Sequence, residues 1–111
     1  MKSWYLVYCK PREEKLAQEH LERQGYKIYL PLILGRIRKR GRIEKSIQPM
    51  FPRYLFIYLS DQTDDWGPIR STIGVSNLVK FGTNPAKAPD TLINCLKKNE
   101  NSQGIHNFTR K

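Results

Sequence analysis

The pattern of apolar and polar positions divides the chain into short alternating pieces. Trp4–Cys9 is an unbroken apolar run, as expected of a central strand covered on both faces, with Trp4, Leu6 and Tyr8 on one side and Tyr5, Val7 and Cys9 on the other. Arg12–Gln24 has helical spacing, opened by Pro11, with Glu13 and Glu14 in its first turn and Gly25 as its stop. Within it Ala17 and Leu21 face the sheet, flanked by Leu16 and His20. Tyr26–Leu34 alternates weakly around Pro31 and reads as a bent or edge strand. Arg36–Lys45 reads as a hairpin turning near Arg40-Gly41, with Ile37 and Ile43 beside the turn.

Tyr54–Leu59, following Pro52, has two apolar faces of different kinds. Leu55, Ile57 and Leu59 suit a core, whereas Tyr54, Phe56 and Tyr58 suit a second layer or a partner. An acidic turn at 61–65 precedes a short helix, Trp66–Arg70, for which Asp64 or Asp65 is the expected cap. Gly74 ends that passage. Ser76–Phe81 is a third core strand, and Thr83–Pro89 a loop. Pro89–Lys98 is a helix with Leu92, Ile93 and Leu96 inward. Residues 99–111 lack periodicity and read as a flexible tail or linker stub after a domain at 1–98. The order implies an α+β sandwich in one domain, with helices on one face of a mostly antiparallel sheet, an exposed aromatic face and a basic β-hairpin.

Composition changes this picture in one respect. Twenty Lys and Arg oppose ten Asp and Glu, a net +10, and such a balance favours a polyanionic partner. The charge is concentrated: from Arg36 to Arg53 there are seven basic residues (Arg36, Arg38, Lys39, Arg40, Arg42, Lys45, Arg53) and one acid, Glu44. Cys9 and Cys95 stand alone, without metal-ligand spacing, and read as buried thiols of a cytosolic protein or as a single disulfide. No stretch reaches transmembrane length, so the expected location is cytoplasmic.

Catalytic signatures are missing. There is no phosphate-binding glycine loop, no nucleophile elbow and no HExxH. Asp61, Asp64 and Asp65 are the one candidate metal cluster, and they are better explained as a turn with a cap than as a nuclease site. No enzyme, metal or cofactor is expected. The aromatic row can stack bases as an RNA-binding sheet does, or dock an apolar protein element. Its rings alternate with Leu and Ile rather than with Gly and basic residues, which favours a protein partner.

Ser3–Lys10, Ala17–Gln24, Phe51-Pro52-Arg53-Tyr54-Leu55-Phe56, Gly74-Val75-Ser76 and Val79–Gly82 together resemble the N-terminal domain of NusG-type transcription elongation factors, and most closely the RfaH antiterminator subfamily. The resemblance spans about residues 2–98. It implies a monomer that binds RNA polymerase and suppresses pausing and termination. The tip of the clamp helices of the largest subunit would enter a pocket including Tyr8, Phe51, Tyr54 and Phe56. Asp65 and Trp66 stand where the subfamily touches the gate loop with a His-Thr-Thr triplet, from which this sequence departs. Lys10, His20, Gln24 and Thr72 match a patch that reads the non-template DNA strand, with Arg12 and Arg70 nearby. Pro11, Leu16 and Ile73 replace basic residues of that patch. The resemblance leaves open whether the hairpin at Arg36, Arg38, Lys39, Arg40 and Arg42 grips upstream DNA or touches the polymerase. Such factors continue into a small KOW barrel. The sequence ends at Lys111, so the expectation is an aromatic pocket unmasked by such a domain, whether a longer protein was cut or one domain acts alone.

Overall fold

The apolar run near the N-terminus becomes the centre of the main sheet. In the computed structural model, which describes residues 2–60 and 66–107, β1 (Lys2–Cys9) pairs antiparallel along its length with β5 (Tyr54–Ser60), from Lys2 opposite Ser60 to Tyr8 opposite Tyr54. Beyond β5 lies β2 (Lys27–Tyr29). On its other side β1 meets β6 (Val75–Leu78), and its Trp4-Tyr5 portion meets β9 (Lys87–Ala88). All these pairings are antiparallel.

One face of this sheet packs on α1 (Glu14–Arg23). Ala17 and Leu21 of the helix are fully buried against Val7, Cys9, Leu55, Ile57 and Leu59. Fully burying a leucine or isoleucine contributes about 1.5–3 kcal/mol, so this layer is the principal stabiliser. Gly25, at φ +97°, ends α1 as expected. The helix starts later than Pro11 implies, because Pro11 and Arg12 form a turn in which Arg12 has φ +64°. That turn is held by the Lys10 N–H on the Gly74 carbonyl and the Glu13 N–H on the Lys10 carbonyl. On the same face, α2 (Gly67–Arg70) buries Ile69, and Trp66 occupies its N-cap position in place of an aspartate.

The other face is where the structure departs from expectation. It is not left open: α3 (Asp90–Lys98) lies over Trp4, Tyr29, Phe56 and Ala88 and inserts Ile93 among them. The helices therefore occupy both faces. Three rings cannot form a solvent-facing row when an amphipathic helix must bury Ile93 and finds its apolar counterpart there. Phe56 is 4% exposed, while Tyr54 and Tyr58 remain half-buried.

Pro31 separates β2 from β3 (Leu32–Lys39), which runs into a hairpin with β4 (Arg42–Pro49). Arg40 and Gly41, at φ +53° and +78°, form the two-residue turn whose twist suits paired strands. The hairpin is thus longer than its basic segment. The expected strand Ser76–Phe81 ends at Leu78. Lys80-Phe81 (β7) instead turns about Gly82 onto Asn84-Pro85 (β8), leaving Phe81 exposed. Residues 99–107 are not a loose tail. Ile105–Asn107 (β10) pairs parallel with β3, Ile105 and His106 are buried, and the Tyr29 hydroxyl donates to Glu100. Burial first, then that carboxylate, holds the Tyr29 hydroxyl well above its ordinary pKa.

The two cysteines are free, Cys9 buried and Cys95 exposed, so neither a disulfide nor a pair of buried thiols is formed. Burial, reinforced by Glu14 and opposed by Arg53, pushes the Cys9 thiol up to about 12. A maleimide reagent at neutral pH should therefore label one thiol of the native protein, Cys95, and reach Cys9 only after denaturation. Rapid double labelling of the native chain would contradict this packing.

Candidate polymerase and nucleic-acid surfaces

Burial of Phe56 does not close the aromatic face; it makes a floor. Above it lies an apolar groove of about 370 Å³, lined by Leu6, Phe51, Tyr54, Phe56, Lys87, Ala88, Pro89 and Leu92. Phe51 meets Phe56 edge-on at 6.2 Å and forms one wall. Pro89, at the N-cap of α3, and Leu92, in its first turn, complete the lining with Leu6, Lys87 and Ala88. Phe51 is 38% exposed and Leu92 42%, which places apolar rims above an apolar floor. Leu92, expected inward, stands instead at this rim.

Tyr8 adjoins the groove through Tyr54, the ring centroids being 5.2 Å apart. Its position depends on Arg53, which the sequence marks only as a basic residue within the Phe51–Phe56 motif. The Arg53 guanidinium lies 4.2 Å from the Tyr8 ring centroid, and its Nε donates to the Cys9 carbonyl at 3.0 Å. Its backbone has φ +74°, and its N–H donates to the buried Glu14 carboxylate at 2.9 Å. A non-glycine residue persists in that conformation only where its surroundings over-determine it. Glu14 thereby fixes Arg53, and Arg53 fixes Tyr8.

Trp66 does not join the groove. Its indole N–H donates to the Ser60 carbonyl at 3.0 Å, and its ring meets Tyr5 edge-on at 4.8 Å, on the α1 side of the sheet. Asp65, with Asp61 and Asp64, lies outside the described residues. Among the described residues no cluster of His, Cys, Asp and Glu is arranged to hold a metal.

The residues matched to a DNA-reading patch are partly drawn together. The Gln24 amide nitrogen donates to the Thr72 hydroxyl at 2.8 Å and to the His20 carbonyl at 3.3 Å. The Thr72 hydroxyl in turn donates to the Pro68 carbonyl at 2.8 Å, and Thr72 is buried. Thr72 and Gln24 thus join α1 to the end of α2, while Lys10 and Arg70 are exposed and His20 is half-buried. Lys10 is tied by its backbone to Gly74, two residues beyond Thr72. Arg12 instead lines a separate groove with Lys15 and the root of the hairpin. In the hairpin, Arg36, Arg38, Lys39, Arg40 and Arg42 are all exposed.

A family model described as transcription termination factor nusG matches residues 2–97. The chain belongs to the NusG family. Its fold is similar to a solved structure described as "Domain interaction in Thermotoga maritima NusG", with a TM-score of 0.55 and 24% identity. That similarity covers 82% of this chain and 52% of the Thermotoga maritima one, so the chain spans about half the length of that protein. Among the described residues no helix is long and apolar enough to cross a membrane. Within a NusG-family domain, Leu6, Lys87, Pro89 and Leu92 are groove residues that sequence reasoning did not single out. The signal for Leu6 was present, because it alternates with Trp4 and Tyr8; for the others it depended on knowing which face α3 covers.

Proposed function

We propose that the chain acts by binding RNA polymerase as a specialised elongation and antitermination factor of the RfaH type. The groove over Phe56 is the observation that carries this reading. An apolar trough with an aromatic floor, exposed rims at Phe51 and Leu92 and a half-buried Tyr54 between floor and solvent suits the tip of an apolar helical element, and the clamp helices of the largest subunit are its occupant. Tyr8, held by Arg53, extends the contact. The exposed side chains of Lys10 and Arg70, with the half-buried His20, contact the non-template strand, and Gln24 and Thr72 hold α1 and α2 in the spacing those contacts require. Polymerase held in this way stays closed on its nucleic acids, which suppresses pausing and termination.

Base stacking by a free-standing RNA-binding sheet is the rival reading, and burial of Phe56 removes the middle ring from such a row. Tyr54→Ala tests the choice. It should weaken binding to a clamp-helix fragment about tenfold or more, as central aromatic anchors do. Unchanged binding in that variant, with single-stranded RNA binding lost, would transfer the function to RNA.

A further inference from the structure

The two faces of the β3–β4 hairpin differ in chemistry. Cross-strand partners share a face, which puts Leu34 with Ile47, Arg36 with Lys45 and Arg38 with Ile43 on one side. Ile37 with Glu44 and Lys39 with Arg42 lie on the other. The first face carries cations and aliphatic side chains without a carboxylate, and its Ile43 is 64% exposed and its Ile47 48%. At its root, Ile47 joins Pro49, Pro52, Arg12 and Lys15 around a groove of about 550 Å³. Glu14 also lines that groove, with one carboxylate oxygen on the Arg53 N–H.

Phosphates would use the cations and gain nothing from two isoleucines left in water. Rings for stacking bases are absent from Leu32 to Pro49. A protein segment in which carboxylates alternate with apolar residues matches both components. Among the described residues β4 is the end strand of its sheet, so its outer N–H and C=O groups are available for strand addition. The run of like charge opposes pairing with the same edge of a second copy.

We propose that the outer edge of β4 is a docking site for an extended acidic segment of another protein. Opposite Ile43 and Ile47 the incoming strand places apolar residues, and opposite Arg42 and Lys45 it places carboxylates, with Arg36 beside Lys45. The recognised pattern, read antiparallel to β4, is apolar-polar-acidic-polar-apolar-acidic.

The test is a titration of isotope-labelled protein with a blocked peptide containing Val-Thr-Glu-Thr-Val-Glu, against a permuted peptide of equal composition. The patterned peptide should shift the amides of Arg42–Ile47 and bind at least about tenfold more tightly than the permuted one. Ile43→Ser, a change at an exposed position, should abolish that preference, and Lys45→Glu should weaken binding of the patterned peptide. Equal binding of the two peptides, or none at millimolar concentration, overturns the proposal. So does displacement of the peptide by a short DNA or RNA duplex whose own binding is unaffected by Ile43→Ser.

Discussion

Gly74→Ala is expected to be the most destabilising single-methyl change in the domain, costing about 3 kcal/mol or more. Gly74 has φ +89°, and a Cβ added there would sit 2.8 Å from the Ala17 nitrogen and 3.0 Å from both the Ala17 Cα and the Glu13 carbonyl. All three are backbone atoms and cannot swing aside. Strain at such a φ alone costs on the order of 1–3 kcal/mol, and relieving the clash requires α1 to lift from the sheet, loosening Ala17 and Leu21 from the core. The control is Gly25→Ala, at φ +97° with nothing within 4 Å of the added carbon. It carries the conformational strain without the collision. For a domain of this size each kcal/mol lowers the melting temperature by about 4–8 °C. Gly74→Ala should therefore melt at least about 12 °C lower, and clearly below Gly25→Ala. Equal losses would mean that α1 is not seated on the Gly74 turn. The effect also bears on function, because the Gly74 carbonyl holds Lys10 and Thr72 stands two residues away.

The elements carried by strong local signals were legible in the sequence. Leu55, Ile57 and Leu59 lie in the α1-side core, Ala17 and Leu21 face them, and the hairpin turns at Arg40-Gly41. Each depends on periodicity or on turn chemistry within a few residues. What was not legible depends on contacts between distant segments. Element order does not state which face of the sheet α3 covers, so Phe56 was expected to be exposed and Leu92 buried; both are reversed. Glu14 looked like a helix-dipole partner, but its carboxylate reaches Arg53, 39 positions along the chain. Arg53 has a positive φ that no sequence rule assigns to arginine. Ile105 and His106 had no apolar period around them, yet they are buried where β10 pairs with β3.

The placement of Leu92 gives the sharpest test of the groove. Leu92→Glu should abolish measurable polymerase binding, a loss of about 30-fold or more, while leaving the fold unchanged. Leu92 is 42% exposed, so the new carboxylate can reach water in the free protein; a partner seated in the groove would have to desolvate it against Phe56, Ala88 and Pro89. Burying an unpaired charge at a contact exceeds the roughly 2 kcal/mol that separates anchor positions from neutral ones, and 2 kcal/mol corresponds to about 30-fold in affinity. Stability should move little. Glutamate matches leucine closely in helix propensity, and position 92 is in the first turn of α3, where a carboxylate interacts favourably with the helix dipole. Phe56→Ala is a poorer probe, because removing a buried ring costs on the order of 3–5 kcal/mol of folding stability and mixes loss of binding with loss of structure. Leu92→Met should retain affinity by keeping an apolar rim of similar volume. If Leu92→Glu melts like the wild type and still binds polymerase, the groove between Phe51 and α3 is not the docking site, and the Tyr8–Tyr54 pair would have to act outside it.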